Sequence, residues 1–162
     1  MAAEYDATPQ EVRQFVLVQL LLTAGFLGLL TWMFGALDSP APPIWMWVVL
    51  LLAVVVGAVL AERVWLSTEP LPADVERPHE TAVGIYAGQS VRKLAFCEAP
   101  ILLGVVFSFV VDHAAWPLLI AGVPGLLVLA FETWPTARNL SLVEQGLEAD
   151  GVETRLLEDF HS

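Results

Sequence analysis

The sequence predicts an all-α integral membrane protein, a bundle of four transmembrane helices with both termini in the cytoplasm and short cytoplasmic amphipathic helices. Three observations lead to this prediction. Of 162 residues, 57 % are hydrophobic and 15 % are charged, whereas soluble domains average roughly 45–50 % and about 25 %. Charge-free intervals long enough to cross a bilayer recur along the chain. All seven Lys and Arg residues lie outside these intervals, at positions that four spans place on one side of the membrane.

The first two spans are predicted to form a helical hairpin. Gln14–Leu37 and Ser39–Ala61 each contain no charged residue, and each exceeds the roughly 20 apolar residues that a helix needs to cross a bilayer. The proline-rich segment Ser39–Pro43 ends one helix and lets Ile44 start the next. A cleaved signal peptide is the alternative for the first span. Its apolar run is longer than a typical signal sequence and no small-residue cleavage site follows, so an uncleaved helix is expected.

The second pair of spans is shorter. Leu94–Val111 is interrupted only by Glu98, and Ala114–Phe131 follows the polar link Asp112-His113. Pro124 lies in the middle of the last run. A kinked or shallow span is therefore predicted there, because proline removes a helix hydrogen bond.

Orientation is predicted from the basic residues, which are retained on the cytoplasmic side. They are Arg13, Arg63, Arg77, Arg92, Lys93, Arg138 and Arg155. Both termini and the central loop should then be cytoplasmic, with the two tight links at 38–43 and 112–113 outside. Tryptophans are expected as interfacial anchors, with Trp32, Trp45, Trp47 and Trp116 at the outer ends and Trp65 and Trp134 at the inner ends. The predicted localisation is the inner (plasma) membrane, multi-pass.

The chain is predicted to divide into five segments. They are an N-terminal cytoplasmic segment (1–13), a first transmembrane hairpin (14–66), a cytoplasmic loop (67–93), a second hairpin (94–134) and an acidic C-terminal helix and tail (135–162). Helical spacing over Thr81–Lys93 favours a short interfacial helix. Pro135–Ala149 is predicted to be helical, with Leu140, Val143 and Leu147 on one face. The last residues are too few to fold alone and must fray or dock.

Glu98 is the candidate for ion or proton chemistry, because an ionisable group inside an apolar span is costly and usually faces a cavity, a partner or a proton path. It lies roughly 7–8 Å inside the expected cytoplasmic boundary, at about 1.5 Å per residue from Lys93. A structural role is favoured over such chemistry. In that case Glu98 pairs with Arg138 or Arg92, or caps backbone groups that Pro100 frees.

Small residues at helical spacing are predicted to mediate close helix packing. They are Ala24, Gly28, Ala53, Gly57, Ala61, Gly104, Ser108, Ala121 and Gly125. Packing inside the bundle is the main expectation, and docking on a larger membrane partner is the alternative. Cys97 belongs to the same pattern and is expected to be a packing residue rather than a nucleophile.

One further pattern carries a resemblance. Glu98-Ala99-Pro100 is followed by Gly104 in the third span, and Pro135-Thr136-Ala137-Arg138 follows the fourth. This combination resembles a group of small uncharacterised bacterial four-span membrane proteins. The resemblance implies no activity.

No cofactor or metal site is expected. His79, His113 and His161 cannot meet, because the topology puts His113 across the membrane from the other two. The sequence has no nucleotide-binding, zinc-protease or nucleophile-elbow motif. An enzyme is therefore the least favoured class, and no catalytic residue is predicted. A net charge of −11 argues against nucleic acid as a partner.

The predicted function is a non-catalytic accessory or assembly subunit of a larger bacterial inner-membrane complex, such as a respiratory or transport assembly. Other membrane subunits and the lipid bilayer are the expected partners. Fifteen of the eighteen acidic residues fall on the predicted cytoplasmic side with all seven basic ones, a formal excess of eight negative charges. This excess suits a basic protein surface rather than anionic lipid. The alternative function is a small transporter or channel with Glu98 as its proton or ion site.

Overall fold

The structure, a computed structural model, describes residues 7–35 and 39–161. Within these residues, all regular secondary structure is helical. These elements are α1 (Pro9–Met33), α2 (Ile44–Leu66), α3 (Pro78–Val110), α4 (Trp116–Thr133), α5 (Ala137–Leu147) and α6 (Leu156–His161). The first four helices are long and apolar enough to cross a membrane. This confirms the all-α class, and the number of such helices equals the number of predicted spans. Residues 1–6, 36–38 and 162 lie outside the described residues; they include Leu37, the last residue of the predicted first span, and Asp38, the first residue of the predicted outer link.

Local sequence signals set the helix ends. At the start of α1, the Thr8 hydroxyl accepts the Glu11 N–H at 3.3 Å, and the Glu11 carboxylate accepts the Thr8 N–H at 2.8 Å. This capping box satisfies two donors that the helix itself leaves unpaired. α3 is 33 residues long, about 50 Å at 1.5 Å per residue, so its first turns project beyond a hydrocarbon layer about 30 Å thick. The short helix expected over Thr81–Lys93, leading into the third span, is the first part of α3, which continues without a break through Lys93 and Leu94.

Both spans that contain proline remain continuous helices. α3 passes through Pro100 and α4 through Pro124. Proline frees the carbonyl four residues earlier, which for Pro100 is that of Phe96. Gly57 of α2 packs against this carbonyl so closely that a Cβ at position 57 would lie 2.6 Å from the Phe96 oxygen. α4 has 18 residues, about 27 Å, and is the shortest of the four long helices, as expected for the fourth span.

Glycines let α2, α3 and α4 pack tightly, with α1 against α4. A Cβ at Gly104 of α3 would meet the Pro117 oxygen at 2.8 Å and the Ala121 Cβ at 2.9 Å, both on α4. A Cβ at Gly122 of α4 would meet the Leu27 side chain of α1 at 2.8 Å. In lipid, apolar side chains gain no hydrophobic free energy when two helices associate. Close packing at small residues therefore contributes much of the stability of a helix pair.

One end of the bundle carries a hydrophobic core of its own, which we call the end cap. Its buried members come from α1, α2, α3, α5, α6 and the segment after α2: Val12, Trp65, Leu71, Ala82, Val83, Tyr86, Leu140, Val143, Leu147, Leu156 and Phe160. The Trp65 and Tyr86 rings stack with centroids 5.0 Å apart, and Phe160 meets Tyr86 edge-on at 5.4 Å. The C-terminal tail therefore docks on its own chain, and the buried residues of α5 and α6 are covered without a partner protein.

At the opposite end, the two links between helices touch each other. The Trp116 indole N–H donates to the Ser39 carbonyl at 3.1 Å, and His113 Nδ1 lies 3.3 Å from the Pro40 carbonyl. Ala114 has a left-handed backbone (φ 49°), which helps the chain reverse direction between α3 and α4 in five residues. These contacts tie the α1–α2 link to the α3–α4 link.

Candidate functional site

One cleft lies between α1 and α3, and we call it the α1–α3 cleft. Its volume is about 220 Å³, and it is lined by Leu22, Thr23, Phe26, Glu98, Ile101 and Leu102. α1 packs more extensively on α4, where Leu27 meets Gly122, than on α3, and the cleft lies on the α3 side of α1. Leu22, Phe26 and Leu102 are exposed, so the cleft opens on the face that meets lipid. It therefore places the carboxylate of Glu98 within reach of a molecule in the membrane.

Glu98 is held by two neutral donors from α1. Its Oε1 atom accepts the Gln19 amide N–H at 2.5 Å and the Thr23 hydroxyl at 3.2 Å. The expected pairing of Glu98 with Arg138 is wrong, because Arg138 forms its ion pair with Glu62. The expected alternative partner, Arg92, is exposed on the first part of α3. Gln19 and Thr23 occupy the same face of α1 one turn apart, which suits them to share a single carboxylate oxygen.

A buried ion pair, which the sequence patterns did not reveal, joins α3 to the end of α4. Lys93 Nζ lies 2.5 Å from Glu132 Oε2, and the two residues are 0 % and 5 % exposed. The Lys93 ammonium also lies 3.8 Å from the centre of the Trp65 ring, an attractive cation–π arrangement. One sequence feature could have indicated this pair. Lys93 directly precedes the third apolar run and Glu132 directly follows the fourth, so both are predicted at the same side of the membrane.

Asn139 secures the exit of the chain from α4. Its buried side-chain amide donates to the carbonyls of Phe131, Glu132 and Trp134, at 2.9, 3.3 and 2.8 Å. These carbonyls lie at the end of a helix, where they lack partners inside the helix. Asn139 thus holds α5 against α4 directly beside Glu132. No sequence motif singled out this residue.

The small residues separate into an inner and an outer group. Gly57, Ala61, Gly104, Ser108, Ala121 and Gly125 are buried between helices, and Ala24 and Ala53 are half-buried. Gly28 is exposed, and a Cβ there would meet nothing within 4 Å. Gly28 therefore makes no close helix contact within the described residues, because α1 turns Leu27 rather than Gly28 toward α4. Gly122, absent from the predicted set, supplies the glycine of that contact.

The tryptophans occupy different environments. Trp32, Trp45 and Trp134 are exposed, with Trp32 at 79 %; Trp47 and Trp116 are half-buried, with ring centres 6.0 Å apart. Trp65, expected to be an interfacial anchor, is only 1 % exposed and is part of the end cap. Its ring is covered because α3 continues past the end of α2 and brings Tyr86 and Lys93 over it.

Cys97 is buried in the bundle, and the histidines lie apart. His79 lies 3.4 Å from Asp159 at the end cap, and His161 Nδ1 lies 2.8 Å from the Leu157 carbonyl there. His113 is at the opposite end. Over residues 7–35 and 39–161, no three His, Cys, Asp or Glu side chains are grouped closely enough to hold a metal ion.

No protein family, no curated protein and no solved structure matches this chain. The class of the protein therefore follows from the fold alone. Four long apolar helices packed as a bundle define a multi-pass membrane protein.

Proposed function

We propose that this protein is a non-catalytic accessory or assembly subunit of a larger bacterial inner-membrane complex, and that it docks there through α1. The observation that carries the proposal is the outward side of α1. Leu21, Gly25, Gly28, Leu29 and Trp32 share this side, which we call the glycine face. All five residues are exposed, and a Cβ at either glycine would meet nothing within 4 Å.

The two glycines of the glycine face lower the stability of α1, and no contact among the described residues offsets this loss. Glycine destabilises a helix by about 1 kcal/mol relative to alanine. At Gly57, Gly104, Gly122 and Gly125 this cost is accompanied by a close approach to another helix. Gly25 and Gly28 have no such neighbour among the described residues, and α1 is the least buried of the four long helices. A transmembrane helix of another subunit would gain the close approach that these two glycines permit.

The acidic surface of the end cap supports a second contact with a partner, which would be electrostatic. Its surface exposes the carboxylates of Glu69, Asp74, Glu76, Asp150 and Glu158. The basic residues of the chain favour a cytoplasmic position for this end, since Lys and Arg are retained on that side. Because the apolar residues of α5 and α6 are packed inside the end cap, a basic protein surface would bind there mainly through charge. Such binding weakens as salt rises.

Co-purification from native membranes in mild detergent tests the proposal. The tagged wild-type chain is compared with Gly28→Leu, which blocks the glycine face, and with Val59→Leu, which enlarges an exposed side chain on α2. We expect stoichiometric membrane subunits with the wild type and Val59→Leu, and their loss with Gly28→Leu. Unchanged thermal unfolding of all three chains would show that the bundle is intact. A partner-free wild-type chain, or equal recovery with Gly28→Leu, would contradict the proposal.

A second candidate function is a small transporter or channel that uses Glu98 as its proton or ion site. The position of Glu98 in the lipid-facing α1–α3 cleft supports it. The test is flux into liposomes reconstituted with wild type, Glu98→Gln or the control Glu153→Gln, which alters an exposed carboxylate. Flux that Glu98→Gln abolishes and Glu153→Gln preserves is expected. Absent flux, or flux unchanged by Glu98→Gln, would exclude this role.

A further inference from the structure

The α1–α3 cleft combines a single carboxylate with an apolar wall. Leu22, Phe26, Ile101 and Leu102 supply the wall, and Glu98 supplies the charge-bearing group. We infer that this cleft binds an organic ammonium ion that partitions into the membrane, an amine head on an apolar body, with Glu98 as its counter-ion. The inference uses the site of the second candidate function, but it requires neither transport nor an accessory role.

The hydrogen bonds of Glu98 leave one oxygen for a ligand. Both donors from α1, the Gln19 amide and the Thr23 hydroxyl, bind Oε1. They hold the carboxyl group in place, and within the described residues they leave Oε2 without a hydrogen bond, so that a ligand in the cleft can satisfy it. An ammonium group carries three N–H donors, so it can bind Oε2 directly. A charge-assisted hydrogen bond of this kind is roughly twice as strong as a neutral one.

Among residues 7–35 and 39–161, no Lys or Arg forms an ion pair with Glu98. Lys93, on the same helix, binds Glu132 at 2.5 Å, and Arg138 binds Glu62. An ionised carboxylate in an apolar setting is unfavourable without a counter-charge. Because the described part of the chain does not supply this counter-charge, a cation from outside the chain complements the charge of the site.

The dimensions and lining of the cleft favour an organic cation. Its volume of about 220 Å³ is smaller than the roughly 300–1,000 Å³ of pockets that enclose a drug-sized ligand. It can hold an ammonium head and one ring or short chain, while the rest of the ligand extends into lipid between Leu22 and Leu102. The Phe26 ring adds an aromatic surface that attracts cations. A hard metal ion such as Ca²⁺ takes six to eight oxygen ligands, which an apolar wall does not offer.

Calorimetric titration of the full chain in zwitterionic nanodiscs tests the inference, with 4-phenylbutylammonium as the probe and 4-phenylbutanol as its uncharged match. Protein-free nanodiscs give the reference for partitioning into lipid. Glu98→Gln removes the charge but keeps a carbonyl oxygen that can accept from Gln19 and Thr23. Glu153→Gln is the control carboxylate. We expect Glu98→Gln to weaken ammonium binding roughly ten- to hundredfold, and Glu153→Gln to leave it unchanged.

Leu102→Trp provides an independent variant, because it fills the cleft without altering Glu98. It should abolish ammonium binding even if Glu98→Gln proves too unstable to titrate. Three results would overturn the inference: no ammonium binding above protein-free nanodiscs, equal binding by the wild type and Leu102→Trp, or equal affinity for the ammonium and the alcohol. Full affinity in a folded Glu98→Gln chain would overturn it as well.

Discussion

Replacing Lys93 with methionine removes one partner of the buried ion pair and keeps a side chain of similar length. In the wild type, Lys93 Nζ lies 2.5 Å from Glu132 Oε2, with both residues almost inaccessible. The Trp65 ring lies 3.8 Å from the same ammonium. The substitution therefore leaves Glu132 buried without its cation, and it also removes the cation–π contact.

The expected loss of unfolding free energy is about 3–5 kcal/mol, the usual cost of removing one partner from a buried pair. The double variant Lys93→Met/Glu132→Leu should recover most of this loss, since replacing both charges with apolar side chains is often neutral or stabilising. The coupling energy between the two positions should consequently exceed about 2 kcal/mol. This value lies well above that of an exposed ion pair, typically about 0–1 kcal/mol.

Reversible unfolding in SDS, monitored by far-ultraviolet circular dichroism, measures the free energy of unfolding of all four chains of this double-mutant cycle. Arg77→Met serves as a control, because the Arg77–Glu80 pair is exposed, and it should change stability by less than about 1 kcal/mol. If Lys93→Met lowers the free energy of unfolding no more than Arg77→Met does, the Lys93–Glu132 pair does not stabilise the junction of α3 and α4. A double variant as unstable as Lys93→Met would contradict the reasoning too.

Three further predictions concern stability, and each is checked by thermal or SDS unfolding. Gly57→Ala should destabilise the fold by about 1–3 kcal/mol, because its Cβ would lie 2.6 Å from the Phe96 oxygen, whereas Gly28→Ala should be neutral or stabilising by up to about 1 kcal/mol; the opposite order would refute the assigned packing. Asn139→Leu should cost about 1–3 kcal/mol, since it leaves carbonyls at the end of α4 unpaired, and an unchanged midpoint would contradict this. Burial acts to raise the pKa of Glu148, but hydrogen bonds from the backbone and side chain of Thr154 and from the next backbone N–H hold it below its usual 4.5. The stabilisation from Glu148 should be present above about pH 4.5 and lost as the pH falls through its lowered pKa; a stability difference between wild type and Glu148→Gln that widens with acid would contradict this sign.

The four spans could be predicted because the thickness of the bilayer constrains the sequence directly. A charge-free interval as long as Gln14–Leu37 is typical of a helix that crosses the hydrocarbon layer. The burial of the C-terminal tail was harder to predict. Its short apolar pattern shows that it must pack against something, and only the assembled end cap shows that the surface belongs to the same chain.

The details of the candidate site depend on helix rotation, which the sequence does not specify. Glu98 was recognisable as an ionisable group in an apolar run. Its partners Gln19 and Thr23 are neutral residues in a distant span, and they meet Glu98 only because α1 turns that face inward. The same rotation directs Leu27 toward α4 and leaves Gly28 outside, a result that small-residue spacing alone could not decide.

Photo-crosslinking from position 28 in native membranes tests the central proposal, docking through the glycine face, most directly. A photoreactive residue replaces Gly28 in one chain and the exposed Val59 of α2 in a second. We expect one specific membrane-protein adduct from position 28, whose yield falls when Gly25→Leu is added, and no such adduct from position 59. Crosslinking from position 28 to lipid alone, or the same adducts from both positions, would contradict the proposal.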